Sequence, residues 1–402
     1  MKLNFFQKNK KNNIPTIVIT SLYRWSYFQI FLLGFYELEK QKKIKLKFRA
    51  GLIFWISTLP FTIPGLNRLK QLFQEDSYML EGYIINNGIK RTFCIDSADA
   101  PYLFSSKHLQ SFDLYFKMQC PKDLNVKQGF KLGEDVYIKY CDHQHIDEAL
   151  KLTEKGPRKE NGDILSQNIN KVFPLLSGFR RISKSNSYKM LKAGITHYAE
   201  GRENQVSKKL MCYFGNALGP KEESEVNIPD WDWEGDIMGY YKGILEHPNV
   251  KRAKVANILA AKGIAYDARI ISSSNADNGK IERKDLIIPL NDFCKHISSF
   301  EYNMNISGYR MSIPSRFIES FIVGTAILTD KLSVKWFQPF EEEVVETEEM
   351  GYLLDEQVNW NKVDLDIITL PKVNKQSILE LYKKKWAPDV IATYIIRTCI
   401  SK

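Results

Sequence analysis

Met304–Phe340 reads MNISGYRMSIPSRFIESFIVGTAILTDKLSVKWFQPF. Pro314 and Ser315 are helix-start residues, and Gly324 is a stop signal. Thr325–Thr329 is an apolar, partly β-branched run and predicts a buried strand. Arg316 and Glu319 stand three apart, so they share one face of the helix's first turns. A cation and a carboxylate near a helix start, outside the end of a strand, suit a nucleoside diphosphate. The helix end and the guanidinium attract phosphate. The carboxylate can accept two hydrogen bonds from a ribose diol. Taken alone, the same two residues also fit an Arg–Glu surface pair.

The segment Ser315-Arg316-Phe317-Ile318-Glu319, followed after four residues by Gly324-Thr325-Ala326, resembles the donor-binding region of GT-B glycosyltransferases, especially their exostosin-like branch. About forty residues carry the resemblance. It implies two Rossmann-like doubly wound domains with an interdomain cleft, and C-terminal helices packing back on the first domain. It also implies that Arg316 meets the diphosphate and Glu319 the ribose. Ser312 and Ser315 join them as donor-site candidates.

The rest of the chain shows the alternation that such a fold needs. Ile14–Thr20 and Ile44–Phe48 read as strands, with a helix at Trp25–Glu39 between them. This βαβ start predicts a parallel sheet. Arg91–Ile95 and Asp113–Phe116 read as further strands around a short helix at Ser105–Ser111, and Tyr137–Tyr140 as another. The polar stretch Tyr198–Ser207 reads as a linker. Lys209–Phe214, a helix at Pro248–Lys262, Ala268–Ser272, a helix near Pro289–Ile297 and Phe300–Asn303 then open a second series. The predicted units are 1–200 for an acceptor domain, 208–372 for a nucleotide-sugar domain and 373–402 for the tail. Two helices are expected in that tail, broken at Pro388. The acidic run Glu341–Glu349 reads as a solvated helix face or loop.

Further candidate residues follow from position. Gly215 and Asn216 stand after the first strand of the second series, where glycine lets backbone amides approach a diphosphate. Lys251 and Arg252 open the next helix and either add to that site or are surface cations. Arg269, inside a β-branched run, needs a partner or an anion. Asp96 and Asp99 follow a strand, where a general base for an acceptor hydroxyl belongs. The same Asp-Ser sequence also reads as a turn capping the next helix. His143 and His145 read as surface rather than as a metal pair. The triplets Asp230-Trp231-Asp232 and Asp364-Leu365-Asp366 read as turns, so no metal is expected. No Ser-His-Asp arrangement emerges from the order of residues.

The 402 residues carry 44% hydrophobic and 12% aromatic residues, enough for well-packed cores. The six cysteines include no CxxC pair, which argues against a zinc or disulfide framework and fits a reducing compartment. A net charge of +10 favours anionic partners. No nucleic-acid-binding signature is present. No signal peptide is read at the start, and no apolar run is long enough to span a bilayer. Gly51–Leu66 is apolar but broken by Pro60 and Pro64. It reads as core, or as a segment meeting a membrane interface beside the cations Lys40–Arg49. The expectation is a cytoplasmic, metal-independent glycosyltransferase at the inner face of the membrane. It takes a nucleotide-sugar as co-substrate, with no other cofactor, and a glycan or lipid-linked acceptor. The rivals are a polyol-phosphate transferase on the same fold and a noncatalytic nucleotide-sugar-binding scaffold.

Overall fold

The computed structural model describes residues 14–22, 25–49, 78–98, 104–121, 164–176, 208–214, 268–270, 297–305, 313–329, 334–338, 344–346 and 373–402. The protein is a mixed α/β structure rich in parallel strands. The first sheet has six strands, in the order β2-β1-β3-β4-β5-β7. They are β1 (Thr16–Leu22), β2 (Lys45–Phe48), β3 (Met79–Asn86), β4 (Ile89–Asp96), β5 (Leu114–Lys117) and β7 (Val172–Pro174). β1 and β2 run parallel, joined through helix α1 (Trp25–Lys40). β4, β5 and β7 are mutually parallel.

One strand breaks the expected all-parallel pattern. β3 lies antiparallel between β1 and β4. Its cause is the Asn87-Gly88 turn, where both residues have positive φ, 51° and 80°. Two such residues make a tight hairpin whose twist matches its strands. The signal was legible in the sequence, because Asn-Gly stands between YIIN and IKRTF.

The second sheet is fully parallel, with the order β13-β11-β10-β8-β9. Its strands are β8 (Lys208–Phe214), β9 (Ala268–Ile270), β10 (Phe300–Asn305), β11 (Ala326–Thr329) and β13 (Val344–Glu346). In chain order this is 2-1-3-4-5 read from the β9 edge, a strand order of doubly wound sheets. β13 corrects the reading of Glu341–Glu349 as a helix face or loop. Val344 and Val345 pair with Ile327 and Leu328, and β-branched residues favour that extended edge.

A two-stranded ladder links the halves, β6 (Cys120–Pro121) against β12 (Val334–Lys335). The tail consists of α4 (Lys375–Leu381), a π turn (Tyr382–Trp386) and α5 (Pro388–Ser401). Asn374 caps α4 by accepting from the Ser377 amide at 3.2 Å. Pro388 starts α5, where its missing N–H costs nothing. α5 packs along α1 and reaches β3 and β4. The Tyr394 ring meets Phe116 of β5 at 6.1 Å, and Trp386 stacks on Phe321 at 4.8 Å. One apolar core therefore runs from the first sheet through the tail to the second sheet. The buried cysteines Cys94, Cys120 and Cys399 are free thiols, and burial pushes Cys120 up to about 12.

At Gly34 the backbones of α1 and α5 come close together. A Cβ there would lie 1.9 Å from the Pro388 carbonyl oxygen. Gly34→Ala is expected to push the helices apart and cost about 1–3 kcal/mol. A urea melt of the variant checks this, with an unshifted midpoint as the contrary result.

Candidate functional site

The signature segment folds into helix α3 (Arg316–Ile322), preceded by a turn at Pro314 and Ser315. Ser315 has helical backbone angles and makes no side-chain capping bond. The amide of Phe317 instead bonds the Pro314 carbonyl, and that of Glu319 the Ser315 carbonyl. α3 has only seven residues, too few to add up to the strong helix-end dipole expected of a phosphate cradle. Gly324 ends it with φ +75°, a conformation that a side chain resists. Lys375 of α4 also packs where a Cβ would stand. Gly324→Ala should therefore lower stability by about 2–4 kcal/mol, read as a shifted urea midpoint.

All seven residues of α3 are buried, so its two sides do different work. Phe317 and Phe321 face an aromatic cluster with Trp336 and Trp386. Arg316 and Ser320, four apart, share the side that meets β10. Arg316 is 9% exposed and donates through Nε to Asn305 Oδ1 at 3.0 Å. Asn305 in turn donates through Nδ2 to Thr329 Oγ1 at 2.9 Å. Ser320 accepts from Asn303 Nδ2 at 2.9 Å and donates to the Arg316 carbonyl at 2.7 Å. Glu319, 4% exposed, lies on the neighbouring part of the same side.

Position gives this network its meaning. Asn305 is the last residue of β10, and Thr329 the last of β11, in register with it. The polar chain thus stands on the C-terminal rim of a parallel sheet, where open α/β sheets bind ligands. In this strand order the direction of winding reverses between β8 and β10, next to Asn305. Burying an Arg and a Ser of α3 against two Asn of β10 and a Thr of β11 costs free energy unless all are paired, and an apolar packing there would serve stability as well.

The first sheet comes to the same place. Gln119 accepts from the Ile313 amide at 3.0 Å and donates to the Ile313 carbonyl at 2.8 Å. Ile313 stands three residues before Arg316. Gln119 stands just beyond β5, on the C-terminal rim of the first sheet.

Asp96 ends β4 on that rim and is 1% exposed. Its Oδ2 accepts from Lys117 Nζ at 2.7 Å and from the Tyr115 hydroxyl at 2.5 Å, and its Oδ1 from the Ala98 amide at 2.7 Å. Burial, then the Asp96 charge, raise the Tyr115 phenol well above its ordinary range, which keeps it a donor. Three donors already occupy the two oxygens of Asp96. The geometry is that of a buried ion pair and does not support the expectation of Asp96 as a base.

Sequence order concealed one further chain of bonds. Ser105 Oγ lies 2.6 Å from His108 Nδ1, and His108 Nε2 lies 3.0 Å from Glu81 Oε1. His108 is buried and stacks on Phe112. Ser105 stands at the N-cap position of α2 (Ser106–Ser111), but its side chain caps no backbone amide; it bonds His108 instead, and His108 ties the helix to β3 through Glu81. A sequence reader finds it only by knowing that β3 exists.

The remaining candidates, Asp99, Gly215, Asn216, Lys251, Arg252 and Ser312, lie outside the described residues. So do both D-x-D triplets, His143 and His145. Arg269 falls on β9, the outer strand of its sheet among the described residues. Among the described residues, no group of three or more His, Cys, Asp or Glu is placed to hold a metal ion. No helix among them is long and apolar enough to cross a membrane. No family model matches the chain, and no curated protein sequence matches it.

Proposed function

We propose that the protein is a glycosyltransferase with two Rossmann-like domains, moving a sugar from a nucleotide donor to an acceptor hydroxyl in the synthesis of a surface glycan. The observation that carries the reading is the bond between Arg316 and Asn305 at the C-terminal rim of the 2-1-3-4-5 sheet. Arg316 stabilises the charge that develops on the departing diphosphate. Glu319 holds the ribose. The Gln119–Ile313 contact sets this helix against the first domain, which supplies the acceptor. No metal is required for the transfer, and no catalytic base is assigned.

Asn305 orients Arg316 without neutralising it, because an amide accepts a hydrogen bond but carries no charge. Asn305→Asp keeps the acceptor and adds a negative charge beside the guanidinium. Nucleotide affinity is expected to fall about 10-fold while thermal stability holds or rises. A purely structural asparagine would leave affinity unmoved.

The reading itself is tested by thermal stabilisation with UDP-, GDP-, ADP- and CDP-activated sugars, with and without EDTA. One donor family should raise the melting temperature, and EDTA should not abolish the shift. Stabilisation by a CDP-polyol alone would favour the polyol-phosphate transferase. Silence across the whole panel would remove the donor site.

A further inference from the structure

The first sheet ends on a strongly basic edge. Lys40–Arg49 reads KQKKIKLKFR, with six cations and no carboxylate. All six basic side chains are exposed. Lys40 closes α1, Lys42 and Lys43 form the turn, and Lys45 and Lys47 lie on β2. Among the described residues, β2 has a sheet neighbour on one side only, β1. Glu39, the residue before this run, accepts from the Leu46 amide at 2.8 Å.

Apolar groups are set among these charges. Phe48, between Lys47 and Arg49, is 37% exposed. Lys45 and Ile85 both pair with Thr16, so they lie in one row across the sheet, and Lys90 faces Ile85 in the same row. Ile85 is 38% exposed and Ile89, beside the hairpin turn, 59%. Lys90 sits over the Tyr83 ring at 4.4 Å, and the Tyr83 hydroxyl accepts from Arg49 at 3.3 Å.

Lysines on an outer strand commonly guard it against pairing with another chain. That role does not account for Lys40, Lys42 and Lys43, which stand off the strand. Nucleic acid would ask for cations along a groove with rings on which bases stack. Here the apolar groups, Phe48, Ile85 and Ile89, are aliphatic as well as aromatic. Beyond it the sequence runs into GLIFWISTLPFTIPGL, which has no charged residue. Cations interleaved with exposed apolar side chains match an acidic bilayer surface.

We propose that this edge, from Lys40 to Arg49 with the tip of the β3–β4 hairpin, docks the protein on an anionic lipid leaflet. The proposal is independent of the donor-site reading. Each basic residue near such a surface strengthens partitioning about five-fold, and the gain is screened by salt.

Co-sedimentation of the full chain with lipid vesicles tests it. Wild type should pellet with phosphatidylcholine vesicles carrying about 30% phosphatidylglycerol and stay in solution with phosphatidylcholine alone. About 0.5 M NaCl should release it. The variant Lys42→Gln, Lys43→Gln, Lys45→Gln, Lys47→Gln should melt like wild type, because these side chains are exposed, and should lose at least about 100-fold in partitioning. Wild type that ignores acidic vesicles overturns the proposal, as does a variant that still binds like wild type. Tight binding to an oligonucleotide with none to vesicles makes nucleic acid the partner and overturns it equally.

Discussion

Arg316→Gln is expected to weaken binding of the nucleoside diphosphate by about 100-fold. A charge-assisted hydrogen bond to phosphate contributes about 1.5–3 kcal/mol, and about 2.7 kcal/mol corresponds to that factor. The effect should appear equally with inorganic pyrophosphate, because Arg316 acts on the diphosphate alone. Glu319→Ala gives the complementary pattern, weakening the nucleoside diphosphate and sparing pyrophosphate. Isothermal titration with the two ligands separates them. Both residues lie in a buried helix, so each variant is also melted. Arg316→Lys is a further control. It keeps the charge and loses the Nε contact to Asn305, and should fall between wild type and Arg316→Gln. Equal losses of both ligands in all three variants, matched by equal losses of stability, would mean that α3 only supports the core.

Asp96→Ala is expected to lower stability by about 3–5 kcal/mol, because it strands Lys117 in the interior without its partner. Lys117 is wholly buried, and its ammonium otherwise meets only the Phe104 ring, at 5.3 Å, among the contacts described. Replacing both members, Asp96→Leu with Lys117→Met, should recover most of the loss, since an apolar pair needs no compensation. Urea denaturation of the single and double variants gives the comparison. The opposite pattern, full stability with lost turnover in Asp96→Asn, would return Asp96 to the role of base.

These two predictions mark the boundary of what was legible in the sequence. Pro314, Gly324 and the run to Thr329 announced a helix, a stop and a buried strand, and the structure has α3, a left-handed Gly324 and β11. Pro388 announced the break between the tail helices. Each signal is local, a matter of backbone angles and periodicity within a few residues. β10 was expected to end at Asn303, whereas it runs on to Asn305. A polar pair near a strand end looks like a loop until its partners are known. Ser320, Arg316 and Thr329 are those partners, and they come from other elements.

By itself the sequence determined the class and several elements, among them β1, α1, β4, β5, α3 and β11. Alternating β-branched runs and helical stretches, with glycine and proline at their ends, make a parallel-rich α/β chain whatever surrounds them. Only the tertiary structure decided which polar groups meet. Sheet register set Asn305 beside Thr329, and tertiary packing set Gln119 against Ile313 across 194 positions of chain. It also turned Asp96 inward to Lys117. Such pairings depend on which strands lie side by side, a long-range property that no local pattern encodes.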